Sequence, residues 1–213
     1  MAVTQVLFFG DSITLADNDG ERRGWPGRLV RGTTVAGEPL TAYNLGINGD
    51  TVRDIAGRWR AETAVREARN PGASALVFAY GFNDASQADG GGPQVPLAEA
   101  LALSRDMIAT ARSHAPTLWV GPTPLDETVN PLVSGGVTWA MRNADIGGYS
   151  AAYRELAAEL GVPYLELFEE FVASPRYLAA LRAGDKVHPA DDGYAMIAER
   201  IAAWGAWTAL FSG

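Results

Sequence analysis

Short apolar runs alternate with amphipathic stretches along this chain. Val3–Phe9, Thr41–Asn44, Ala75–Tyr80, Thr117–Val120 and Pro163–Leu167 are brief and largely apolar, as strands covered on both faces are. Between them the period becomes helical. Val52, Ile55, Trp59 and Thr63 mark one face, and Asp54/Arg58 and Glu62/Arg66 are spaced to pair on the other. Leu97, Leu101, Ser104, Ile108 and Ala111 form a second stripe. Ile146, Tyr149, Tyr153, Leu156 and Leu160 form a third, with Gly161 placed to end it. Tyr194, Ile197, Ile201 and Trp204 form the last. Strand–helix alternation predicts an α/β protein with a parallel sheet covered by helices on both faces.

Two stretches carry neither period. Asp84–Pro96, with Gly90-Gly91-Gly92-Pro93, reads as a loop, and so does Pro122–Trp139. Each follows a strand, so each is expected at the C-terminal edge of the sheet. Loops of such length in a compact domain are usually functional or disordered. They are expected to wall a substrate pocket that includes Pro122, Leu125, Leu132 and Trp139.

Composition narrows the function. A length of 213 residues suits one domain over 1–213, and 47% hydrophobic with 20% charged residues is ordinary for a soluble protein. The net charge of −8 argues against a nucleic-acid partner, which needs a basic surface. With no cysteine, thiolate nucleophiles and cysteine zinc sites are excluded. Two histidines offer no zinc constellation. Asp17-Asn18-Asp19-Gly20 lacks the later ligands of a calcium loop and reads as a polar turn, so no metal is expected; no organic cofactor is expected either. No run approaches the length of a membrane span. The N-terminus lacks the marks of a secretion signal, so a cytoplasmic location is expected.

The chemistry concentrates in four segments. The first strand stops at Gly10 and Ser12 follows, where open α/β sheets bind ligands. A serine there serves as a nucleophile only if a base reaches it; otherwise it is a helix cap or turn residue. His188 is the better of the two histidines, because Asp185 three residues upstream can reach its Nδ1 and leave Nε2 free. His114 closes a helix, where a cationic side chain is favoured for structural reasons. Donors for an oxyanion can come from Asn44-Leu45-Gly46-Ile47-Asn48-Gly49-Asp50 and from Gly81-Phe82-Asn83-Asp84. Both also read as plain turns, with Asp50 as a helix cap in the former. No Gly-x-Ser-x-Gly elbow occurs.

The four blocks in this order resemble the SGNH, or GDSL, hydrolases over nearly the whole chain. Ile13 stands where that family's name-giving leucine does, a conservative change. The resemblance implies a three-layer α/β/α sandwich of flavodoxin-like type with a five-stranded parallel sheet. It implies Ser12 as nucleophile, His188 as base and Asp185 as its partner. Ser12 N–H, Gly46 N–H and the Asn83 amide would form the oxyanion hole. The substrate would be a small-molecule ester, with Asp11, Trp25 and Val187 added to the pocket. Acyl transfer, carbohydrate deacetylation and a non-catalytic binding module are the alternatives on the same fold. Gly24-Trp25-Pro26 is expected to open a helix near the nucleophile strand. Trp204, Trp207, Leu210 and Phe211 belong to the core or to a homo-oligomer contact.

Overall fold

The computed structural model describes residues 3–212 apart from Gly32, Ala36 and Pro71. Five parallel strands form the central sheet, in the order Tyr164–Leu165, Thr117–Val120, Ala73–Ala79, Val3–Gly10, Thr41–Gly46. This is the flavodoxin-like order. The chain steps outward from the first strand to the second, then crosses back to place the third on the first strand's other side. That reversal opens a crevice at the C-terminal ends of the first and third strands, where such folds bind ligands.

Alternation along the first strand explains the layers. Leu7 and Phe9 point into one core with Val52, Ile55, Trp59, Met107, Ile108, Ile146 and Tyr153, which belong to the helices Val52–Arg69, Leu97–His114 and Asn143–Leu160. Val6 and Phe8 point into the other, with Trp25, Phe171, Tyr177, Tyr194, Ile197 and Ile201. The helices Gly24–Val30, Phe168–Val172, Pro175–Ala183 and Asp191–Ala202 supply that layer. Trp207 packs on Phe8 with ring centroids 6.1 Å apart, so the C-terminal aromatic segment serves this core. Among the described residues no helix is long and apolar enough to cross a membrane.

Some local expectations change. Leu97 is exposed, and Ala100 and Met107 complete the buried stripe of their helix instead. Thr51, not Asp50, caps the helix Val52–Arg69, in a capping box with Asp54. Arg66 pairs with Glu62 as expected. Arg58 turns away from Asp54 to Asp50 at 2.7 Å, and donates to the carbonyls of Gly10 at 3.3 Å and Leu45 at 2.7 Å. One guanidinium thereby ties together the ends of the first two strands. His114 lies between helices, 3.0 Å from Glu67.

The largest difference concerns the two long loops. Pro122–Trp139 contains most of a hairpin of Leu132–Ser134 and Val137–Ala140, turned by Gly135 at φ 61° and Gly136 at φ 79°. Such a left-handed pair suits a two-residue hairpin turn. The Asp84–Pro96 stretch begins inside a short helix, Phe82–Ala85, and its Gln87–Ala88 pairs with Trp139 and Ala140. The two stretches thus form one small antiparallel sheet over the C-terminal edge.

Candidate active site

The serine is held by its neighbours. Gly10 ends the first strand where a Cβ would meet the Ala79 carbonyl at 2.5 Å, so a larger residue would part the strands. Asp11 is buried, and its carboxylate accepts the Ile13 N–H at 3.0 Å, capping the short helix Ser12–Leu15. Burial pushes the Asp11 carboxyl up to about 6, against the pull of that hydrogen bond. Ser12 therefore stands at the start of a helical turn at the sheet edge.

The histidine comes from the loop before the helix Asp191–Ala202. Asp185 organises this loop: one oxygen accepts the backbone N–H groups of Val187 at 2.9 Å and His188 at 2.7 Å. The other oxygen lies 2.8 Å from His188 Nδ1, and His188 Nε2 lies 2.7 Å from Ser12 Oγ. Burial disfavours the Asp185 carboxylate, but the hydrogen bonds from His188 and Val187 outweigh it and hold its pKa well below the usual carboxylate range. Burial likewise disfavours the His188 imidazolium. The Asp185 hydrogen bond and charge, with the more distant charges of Asp17 and Asp11, raise its pKa above the ordinary value.

The structure corrects one expected donor. Gly46 does not face the serine's open side: its N–H is taken by Asn44 Oδ1 at 3.0 Å, and a Cβ there would meet the Asp11 carbonyl at 2.8 Å. Asn44 Nδ2 reaches the Thr14 carbonyl at 2.7 Å, so Asn44 and Gly46 clamp the serine turn against the second strand. Gly49, three residues on, lines the cleft at φ +78°. Among the described residues no acceptor takes its N–H. A Gly46→Ala change should therefore act first on folding. Thermal denaturation should show a clear loss of stability before any change in substrate affinity.

Asn83 lines the same cleft as Ser12 and His188. It donates one amide hydrogen to the Asp50 carbonyl at 3.0 Å, leaving the other free. Asp84 beneath it is fully buried and accepts from Val52 N–H at 2.8 Å and Tyr153 OH at 3.2 Å. Burial pushes Asp84 up to about 7. This carboxylate fastens the Asn83 turn to the start of one helix and the middle of another.

Ser12, His188, Asn83 and Gly49 open into a cleft of about 270 Å³ that also includes Asp17, Asn48, Phe82, Gln94, Leu132, Ser134, Trp139, Met141 and Val187. Of the expected pocket residues, Leu132, Trp139 and Val187 line this cleft. Asp11, Trp25 and Pro122 instead line a separate void of about 20 Å³ beneath the serine. Leu125 is wholly buried in the core. Asp11, Pro122 and Leu125 turn inward after the strand ends they follow, and Trp25 packs into the core from the helix Gly24–Val30. Gln94 belongs to the Asp84–Pro96 loop expected to wall the pocket, whereas Asp17, Gly49 and Met141 lie outside both expected wall loops. Only Gly49 had a visible signal, as the second glycine of its block.

A serine, an imidazole and a carboxylate in hydrogen-bonded series, at the switch point of a flavodoxin-like sheet, are the equipment of an ester-cleaving serine hydrolase. The chain belongs to the GDSL-like lipase/acylhydrolase family, whose profile matches residues 8–196. Solved structures agree on the fold. A lipase/acylhydrolase from Enterococcus faecalis superposes with a TM-score of 0.72 at 21% identity, covering 93% of each chain. The acetylxylan esterase Axe2 from Geobacillus stearothermophilus superposes with a TM-score of 0.68 at 18% identity, covering 96% of each chain. A comparison with curated protein sequences finds no match.

Proposed function

We propose that the protein is a serine esterase that cleaves short-chain carboxylic esters through an acyl-enzyme, with Ser12, His188 and Asp185 as its triad. The observation that carries this reading is the 2.7 Å contact between Ser12 Oγ and His188 Nε2, continued at 2.8 Å from Nδ1 to Asp185. His188 takes the Ser12 proton as Oγ attacks the ester carbonyl. Asp185 holds the imidazole in the tautomer with Nε2 free, and stabilises the imidazolium. The oxyanion is received by the N–H groups of Ser12 and Gly49 and by the free amide hydrogen of Asn83. His188 returns its proton to the leaving alcohol, and water then cleaves the acyl-enzyme by the same steps in reverse. The polar cleft groups Asn48, Gln94 and Ser134 suit that water better than an apolar wall would, which favours hydrolysis over acyl transfer. Axe2 lends support: its catalytic mutants replace a serine, and an aspartate and a histidine three positions apart.

Hydrolysis of p-nitrophenyl acetate, butyrate and octanoate tests the acyl preference. Rates should be highest for the short esters, and activity confined to the longest would contradict the reading. Asn83→Ala should lower kcat by about 10²–10³ with little change in KM, since its amide acts on charge that develops in the transition state. A change in KM alone would remove Asn83 from the oxyanion hole.

A further inference from the structure

Asp17 lines the cleft but has no part in the steps above. Its backbone is anchored: the N–H donates to the Ser12 carbonyl at 3.2 Å, and its carbonyl accepts the Tyr194 hydroxyl. Its side chain is uncommitted. The carboxylate is 35% exposed, stands 4.0 Å from His188 Nε2, and accepts no hydrogen bond from another described residue. Among the described residues lining the cleft it is the one carboxylate, and no lysine or arginine accompanies it.

Position gives this charge its meaning. The leaving alcohol receives its proton from His188 Nε2, so its oxygen must sit beside that atom. A charge carried a few bonds from that oxygen then lies close to Asp17. An anion there meets repulsion and a cation attraction, in a cleft partly shielded from water. The half-buried Trp139 brings an aromatic ring to the same cleft, and aromatic rings also favour a cation. The net charge of −8 draws cations toward the molecule from a distance.

We infer that Asp17 is a specificity-determining residue that selects esters of cationic alcohols, such as amino or quaternary-ammonium alcohols, over neutral and anionic ones. This rests on the hydrolase reading above, and on His188 Nε2 as the proton donor to the leaving group. A role limited to stabilising the His188 imidazolium would affect all esters alike, so a ratio of substrates separates the two.

The test compares kcat/KM for acetylcholine and its neutral isostere 3,3-dimethylbutyl acetate, with p-nitrophenyl acetate as reference, in wild type, Asp17→Asn and Asp17→Glu. Wild type should favour the cationic ester by about tenfold or more, mostly through KM. The preference should shrink as salt is added. Asp17→Asn should bring the ratio close to one, and Asp17→Glu should restore much of it. Equal use of both esters by wild type, an unchanged ratio in Asp17→Asn, or turnover of p-nitrophenyl acetate alone would each overturn the inference while leaving the esterase reading intact. No turnover of any of the three would overturn that reading, and the inference with it.

Discussion

Ser12→Ala is expected to lower kcat on p-nitrophenyl acetate by about 10⁵–10⁶, leaving the slow turnover that an oxyanion hole and binding alone provide. The size of the effect follows from the covalent route. Without Oγ there is no acyl-enzyme, and His188 can at best assist a poorly placed water. The fold should survive. Ser12 Oγ is bound to His188 Nε2, while the turn around it is held by the Asp11 cap and the Asn44 clamp. Thermal denaturation should therefore match wild type. His188→Ala should cost about as much, because members of such a unit are not additive. A residual activity of more than a few per cent would place the nucleophile elsewhere if seen in Ser12→Ala, and the base elsewhere if seen in His188→Ala.

Asp185→Asn should be the second-largest effect, a loss of about 10⁴ in kcat. An amide can donate to Nδ1 and so favour the wrong tautomer, with the proton on Nε2. The loss has a direction in pH as well. His188 must be neutral to act as base, so kcat/KM should rise with pH through its pKa, which lies above the ordinary value in wild type. Burial opposes the imidazolium, and Asp185 is the main group that overcomes it. Without that carboxylate the pKa should fall, and the acid limb of the profile should move to lower pH even as the maximal rate drops. An acid limb that stayed in place would mean that Asp185 does not govern the titrating group. The same carboxylate also organises the loop through Val187 and His188 N–H, and the asparagine carbonyl can keep those bonds. The loss should therefore appear in rate and pH profile more than in stability.

The strands were legible because both faces of the sheet are buried. Val6–Phe9 and Ala75–Ala79 are unbroken apolar runs, and the strands that hold them, Val3–Gly10 and Ala73–Ala79, start and stop within two residues of the expected ranges. The serine, the asparagine and the Asp–His pair were legible because each follows a strand or opens a helix. Spacing alone brought Asp185 onto His188. The hairpin was missed although Gly135-Gly136 is its turn signal. Its strands are short, and Val133 on the outer face is exposed, so no alternation stood out. The resemblance assigns the donor to Gly46, and the letters of the block alone do not separate Gly46 from Gly49. What separates them is the Asn44 side chain, which caps one N–H and leaves the other free. Pro122 and Leu125 enter the expected pocket through their nearness to a strand end, and Trp25 through the resemblance. Which side of a strand end faces solvent depends on the packing of the layer beneath, and no local pattern encodes that. Asp17 lies 171 positions from its histidine, a pairing that only the closed fold reveals.

The most direct test of the central claim is the intact mass and peptide map of the protein after brief exposure to a fluorophosphonate, run beside His188→Ala. A single adduct on Ser12 in wild type, formed far more slowly in His188→Ala, is the predicted result. An adduct on another residue, or ester hydrolysis that continues at full rate with Ser12 unlabelled, would contradict it.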